Sequence, residues 1–313
     1  MRSRLIALST ALYALGVLCA AAVSQAVQTT PYTLNVAVDE VSVTFHAADF
    51  NGIPMDDLTL ADLRILDNGR RPGQILSFES YRNLPVRVGF LIDTSRSMLS
   101  DLSRNQNLAS EYINHLLHAE TDHGFVMRFD SQSKLLQDWT GDRKLLVPAI
   151  SSVASFQASR LGGTAIFDSV YIACRDQFRK TSDVGAGNFI LLFSDGTDNA
   201  SHALLEDDIR MCQSSNTAIY VFSNEPRSVL AASEGQRTLK ALAAGTNGLI
   251  FYEQKQADIL ADLRMMDRNL RSQYRLVYRP TRFKHDGSFH RLKVDSPNRG
   301  GVITARSGYY APR

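Results

Sequence analysis

Residues 86–92 constrain the fold most. They form an almost uninterrupted apolar run that leads into a polar loop and then into Leu108, Tyr112, Ile113, Leu116 and Leu117 at helical spacing. A strand that is apolar on both faces requires cover on both sides. The same grammar recurs along the chain. Strands are expected at 125–129, 135–139, 189–193, 219–222 and 249–252, with helices near 144–153, 165–179, 205–212 and 239–244. A longer helix follows, carrying Ile259, Leu260, Leu263, Met266 and Leu270 on one face. Apolar strands separated by amphipathic helices imply an α/β fold, a doubly wound and mostly parallel sheet with both faces covered.

The flanks follow a different period. Val41, Val43 and Phe45 alternate with Ser42, Thr44 and His46, as do Leu34, Val36 and Val38 with their neighbours, and Asp67-Asn68-Gly69 marks a turn between a strand at Leu63/Ile65 and one at Ile75/Phe78. Beyond the long helix, Tyr274, Leu276 and Tyr278 alternate again, as do Leu292 and Val294. Short antiparallel hairpins are marginal alone. The α/β unit is therefore expected to be inserted between N- and C-terminal β strands that pack together as one small β sandwich, the alternative being two separate β appendages. The boundaries read as 27–82 for the first β segment, 83–271 for the α/β domain and 272–313 for the second β segment.

Residues 1–26 read as a secretory signal peptide, with Arg2 and Arg4, an apolar run over 5–23, and Ser24-Gln25-Ala26 before the cleavage point. An uncleaved anchor is the competing reading, because the apolar run is near the length that spans a bilayer. Cleavage leaves 313 − 26 = 287 residues and removes two of the 34 Lys and Arg, so that 32 basic residues face 32 acidic ones. A chain with no net charge lacks the footprint that phosphate backbones demand, which argues against a nucleic-acid partner. The protein is expected to be exported, to the periplasm or the extracellular space. Of its three cysteines, Cys19 leaves with the signal, and Cys174 and Cys212 remain as a pair available to a disulfide.

Parallel sheets place ligands at the carboxyl ends of their strands, and three loops there are unusual. The first strand ends in Asp93-Thr94-Ser95-Arg96-Ser97, a helix start is preceded by Gly162-Gly163-Thr164, and the 189–193 strand runs into Ser194-Asp195-Gly196-Thr197-Asp198. Each motif alone has a plainer reading, as a capping loop, an N-cap at Thr164 or a turn at Asp195. Together they offer carboxylate and hydroxyl oxygens without His or Cys, a set that suits a hard divalent cation. His115 and His118, with His123 nearby, read as a solvated helix face rather than a zinc site.

Val88-Gly89-Phe90-Leu91-Ile92 leading into Asp93-Thr94-Ser95-Arg96-Ser97, then Gly162-Gly163-Thr164-Ala165, then Leu192-Phe193-Ser194-Asp195-Gly196, resembles the von Willebrand factor A domain with a complete metal-ion-dependent adhesion site. The flanks resemble exported bacterial proteins related to that domain. The resemblance implies that Asp93, Ser95, Ser97 and Thr164 contact Mg²⁺ or Mn²⁺, directly or through water, and that Asp195 acts through water. It also implies that a partner protein's Asp or Glu completes the coordination, with binding rather than turnover as the outcome. No small-molecule cofactor is expected. Two alternatives stand beside this reading: a metal-assisted hydrolase, and a structural envelope subunit whose metal site goes unused. Against hydrolysis, the chain has no G-x-G-x-x-G, no Walker A motif and no G-x-S-x-G, and the three loops carry no evident base.

Export with cleavage after Ala26 makes Val27 the first residue of the mature protein. N-terminal sequencing of the secreted form checks it, and Met1 retained in a membrane fraction would contradict it.

Overall fold

The computed structural model describes residues 39–153, 163–179, 186–223, 233–252 and 256–312. The signal peptide, the alternating residues 34–38 and Gly162 lie outside them. Among the described residues no helix is long and apolar enough to cross a membrane.

The chain begins with β1 (Val41–Ala48), β2 (Arg64–Asp67) and β3 (Gln74–Tyr81). The α/β unit follows as β4 (Val86–Asp93), α1 (Leu102–His115), β5 (His123–Phe129), β6 (Ser133–Thr140), α2 (Arg143–Ser152), α3 (Ile166–Ile172), β7 (Gly187–Phe193), α4 (Leu205–Ser214), β8 (Thr217–Phe222), α5 (Glu234–Gly245), β9 (Ile250–Phe251) and α6 (Gln256–Arg271). It ends with β10 (Gln273–Arg279), β11 (Phe289–Asp295), β12 (Val302–Ala305) and β13 (Gly308–Tyr310).

The central sheet has the order β6-β5-β4-β7-β8-β9. All its pairings are parallel except that of β6, which lies antiparallel at one edge. The uninterrupted apolar strands are the inner ones, and every residue of β7 is buried. Alternation along β4 divides the core. Val88, Phe90 and Ile92 pack with α1 and α6, whereas Leu91 joins Ile190 and Leu192 against α3, α4 and α5. Only the first half of the helix expected at 165–179 is α-helical; the rest, Ala173–Phe178, is wound as a π-helix. Cys174 in that segment is disulfide-bonded to Cys212 of α4, with Cα atoms 5.2 Å apart. The bond is geometrically open because right-handed crossovers running in one direction put both helices on the same face.

The flanking strands interleave. One sheet has the order β12-β1-β10-β3 and the other β13-β11-β2, so each mixes strands from before and after the α/β unit. Between them lie Val43 and Phe45, Tyr274 and Leu276, Ile65, Leu292 and Tyr309. Phe45, Tyr274 and Phe78 stack with centroid spacings of 5.3 Å. The Asn68-Gly69 turn forms, with Asp67 and Arg70 exchanging backbone hydrogen bonds of 2.8 and 2.9 Å. It does not join paired strands, however. β2 pairs with β11 and β3 with β10, so the chain changes sheets after the turn.

The two connections to the α/β unit meet at a buried ion pair. Arg271, at the end of α6, donates to Asp122 at 2.7 and 3.2 Å and to Asp267 at 2.9 Å, and its remaining N–H groups reach the Leu84 and Leu116 carbonyls. Asp122 also accepts from the Val86 and His118 amides at 2.9 and 2.7 Å. Burial alone would raise the Asp122 pKa, but Arg271 and the two amides outweigh it and hold the carboxyl below its ordinary range.

Two expectations follow. Arg271→Met strands the Asp122 charge and should cost about 3–5 kcal/mol in urea denaturation, with part recovered in Arg271→Met/Asp122→Asn. Because Asp122 ionises more readily in the folded state, its contribution is complete above the ordinary carboxylate pKa and is lost as the pH falls through the lowered value. Replacing both Cys174 and Cys212 by Ala should cost up to roughly 4 kcal/mol, the chain-entropy figure for a loop of 38 residues.

Candidate metal centre

The order of the central sheet reverses at β4. From there the chain moves outward through β5 and β6 on one side, then returns to continue through β7, β8 and β9 on the other. Loops leaving the carboxyl ends of β4 and β7 therefore diverge, opening the crevice where sheets of this kind hold ligands. Asp93 closes β4 at that point, and Ser194 and Asp195 directly follow β7.

Period two sends Asp93 to the same face as Leu91, and its exposure is 0%. One carboxylate oxygen accepts the Ser95 N–H at 2.8 Å and the other accepts the Ser194 hydroxyl at 2.7 Å. Both donors are neutral, and among the described residues no cationic side chain pairs with Asp93. Burial, and to a smaller extent the negative charge of Asp195, push its pKa up to about 6 against the pull of the Ser95 and Ser194 hydrogen bonds. A dry carboxylate facing a second one lacks a counter-charge.

The first loop is fixed by β5. Thr94 donates to the Phe129 carbonyl through its amide at 2.7 Å and its hydroxyl at 2.9 Å. This sets Ser95 and Ser97 so that their hydroxyl oxygens lie 3.3 Å apart, Ser95 buried and Ser97 exposed. Asp195 accepts the Thr197 amide at 2.8 Å. Gly196 turns the loop with φ 87°, passing so close to α5 that a Cβ would sit 2.5 Å from the Gly235 carbonyl oxygen. Only glycine fits there.

Thr164 is held from the β7 loop. Its N–H donates to Asn199 Oδ1 at 2.8 Å, and its carbonyl accepts the Asn199 and Ala200 amides at 3.0 and 3.1 Å. Gly163, at φ 103°, precedes it. The N-cap reading of Thr164 is corrected by the structure. The cap position is Ala165, without a side-chain bond, and the first-turn amides of Phe167 and Asp168 donate instead to Asp198 and to the Ser201 hydroxyl, each at 3.1 Å. The Thr164 hydroxyl is thus not spent on α3.

Asp93 bonds the Ser95 amide, the Ser95 and Ser97 hydroxyls touch, Asp195 reaches Asp93 through its field, and Thr164 is tied through Asn199 to the loop after β7. Ser194 and Asn199 went unread in the sequence. Ser194 has a signal, since it directly follows an all-buried strand; a single amide such as Asn199 has none. Among the described residues no three of His, Cys, Asp and Glu gather as a metal cluster. The chemistry of two carboxylates and three hydroxyls nevertheless suits a hard divalent ion, and Asp93 is buried without a counter-charge.

A family model described as the von Willebrand factor type A domain matches residues 88–197. No curated protein matches the chain. Among solved structures, von Willebrand factor type A from Catenulispora acidiphila is 14% identical, with 75% of this chain and 73% of that one covered and a TM-score of 0.48. BatB from Bacteroides thetaiotaomicron is 17% identical over 58% of this chain and 97% of its own, at a TM-score of 0.46. Proximal thread matrix protein 1 from the mussel byssus, with a zinc-occupied MIDAS motif, is 15% identical over 64% of this chain and 50% of its own, at a TM-score of 0.48. The family match runs from inside β4 to the loop after β7 and so spans all five candidate residues. Residues 88–197 thus match the von Willebrand factor type A domain.

Proposed function

We propose that Asp93, Ser95, Ser97, Thr164 and Asp195 hold a divalent cation, Mg²⁺ or Mn²⁺, and that the protein is an exported binding module which captures an Asp or Glu of a partner protein at that ion. Domains of this family are interaction modules, and the reading here is of adhesion or assembly rather than turnover. The observation that carries it is the buried Asp93 carboxylate, hydrogen-bonded only by neutral donors and raised in pKa by burial and by Asp195. A bound ion would supply the missing positive charge and an open coordination position attractive to a carboxylate.

The chain's own residues divide the work. Asp93 and Asp195 contribute charge, while Ser95 and Ser97 contribute adjacent neutral oxygens, one facing inward and one toward solvent. Thr164 is supplied by a separate loop whose backbone Asn199 clamps. Because Ser194 occupies one Asp93 oxygen and the Ser95 amide the other, the carboxylate is oriented before any ion arrives. An exported location, periplasmic or extracellular, is supported by the Cys174–Cys212 bond, which belongs to an oxidising compartment.

The test compares wild type with Asp93→Asn, with and without chelator. In metal-free wild type, the raised Asp93 pKa favours the folded state while the group is protonated, and this advantage disappears as the pH rises from about 4 to about 6. Above that range Asp93→Asn should be the more stable metal-free protein, by on the order of 3 kcal/mol. Mg²⁺ should raise the melting temperature of wild type but not of the variant. Capture of an envelope partner should need Mg²⁺ and fail with Asp93→Asn. Equal capture in chelator would remove the metal from the mechanism, and Mg²⁺-dependent capture by the variant at wild-type affinity would remove Asp93.

A further inference from the structure

Away from the metal centre, residues Asn68 and Arg70 and the segment joining β10 to β11 line a solvent-open cavity of about 340 Å³ at the surface of the β sandwich. Asp67 and His290 form its buried part, exposed by 6% and 5%. The Asp67 carboxylate accepts the Tyr278 hydroxyl at 2.9 Å, the Tyr309 hydroxyl at 2.6 Å and His290 Nδ1 at 2.9 Å. A carboxylate held by such donors only accepts, so Nδ1 carries the hydrogen and Nε2 is the ring nitrogen left for a ligand. The imidazole is thereby fixed in orientation by residues from both sheets.

Arg70, Arg282 and Lys284 also line the cavity, and none of them forms an ion pair among the described residues. Some other cations of the sandwich are paired. Arg64 pairs with Asp295, Arg279 with Glu40 and Arg299 with Asp57. The other carboxylate of the lining, Asp286, is engaged by the Ser288 amide and hydroxyl, which hold its pKa low. The same bond keeps the Ser288 hydroxyl from serving His290 as a nucleophile, so the arrangement favours binding over acyl transfer. Three cations stand against the two carboxylates of the lining, Asp67 and Asp286, the second of which also feels the charge of Lys284, so the cavity keeps an excess of positive charge, and its volume suits an oxyanion bearing a small organic group.

We propose that this cavity binds the phosphate group of a small phosphomonoester, with Arg70, Arg282 and Lys284 taking its oxygens and His290 facing it from the interior. Guanidinium forks match tetrahedral oxyanions in geometry and stay charged throughout the physiological range. The site is independent of the metal centre, which lies on the other unit's sheet rim.

Calorimetric titration of the mature chain in metal-free, low-salt buffer tests it, with inorganic phosphate and glycerol 3-phosphate as probes and acetate as the carboxylate control. The expected result is one site per chain for at least one phosphate probe, with acetate weaker. Arg282→Gln/Lys284→Gln alters two exposed side chains and should weaken binding by roughly tenfold per cation removed. Arg64→Gln, which removes a paired cation elsewhere on the sandwich, should leave it unchanged. Tighter binding of glycerol 3-phosphate identifies an ester as the ligand, and binding of inorganic phosphate alone identifies the free ion. No heat with either probe at millimolar concentration, or equal affinity in the Arg282/Lys284 double variant, overturns the proposal.

Discussion

The buried pairing of Arg271 with Asp122 is the contact on which the rest of the architecture turns. It sits where the chain enters the α/β unit at β4 and where it leaves at the end of α6, and it reaches the α1–β5 connection through the Leu116 carbonyl. An inserted domain needs its two ends close together, and here one guanidinium and one carboxylate hold them. β3 and β10 continue the junction as a paired ladder beginning at Tyr81 and Gln273. The pair is costly to desolvate, but Asp122 has five donors, counting the Thr121 hydroxyl, and Arg271 has carbonyls as well as carboxylates, which is the condition under which such a pair holds its geometry.

From that base the sheet carries order to its opposite rim. β7 is buried along its whole length and β4 everywhere but at Arg87, so the position of Asp93 is set by core packing rather than by its loop. The loops add mutual bonds: the first to Phe129, the second to Asn199, and the third across Gly196 to α5. The three loops are thus each held by contacts from a separate element. Such rigidity is what the proposed metal centre, with only two carboxylates, would need in order to compete with water for a small cation.

The α/β unit was legible because its strands are apolar on both faces and its helices amphipathic, and the Asp93-x-Ser95-x-Ser97 spacing was legible because alternate residues of one loop share a side. Pairing partners in the flanks were not. Asn68-Gly69 specifies a turn through its positive φ values, but nothing local says that β2 and β3 then separate into different sheets. The direction of β6 was hidden for a similar reason, since an edge strand is only half buried. Thr164 looked like a cap because capping is what a threonine before a helix usually does, and Asp198 performs that task from a segment over thirty residues away. Arg70 and Arg282 illustrate the limit most clearly. They are 282 − 70 = 212 residues apart, and only the folded sandwich brings them to one cavity.

The interleaving of the two β sheets also orders events in time. β1 lies between β10 and β12, and Val43 faces Leu276 across a sequence separation of 276 − 43 = 233 residues. β1 therefore has no ladder partner until the whole α/β unit has been synthesised, and closing so long a loop in an unfolded chain is entropically expensive. The α/β unit, whose strands and helices are mostly neighbours in sequence, can assemble first. Once it has, the end of β3 and the start of β10 are already side by side, and the long loop has become a short one. An α/β unit that assembled first would thus serve as the folding template for the sandwich that encloses it in sequence, with the terminal strands closing last.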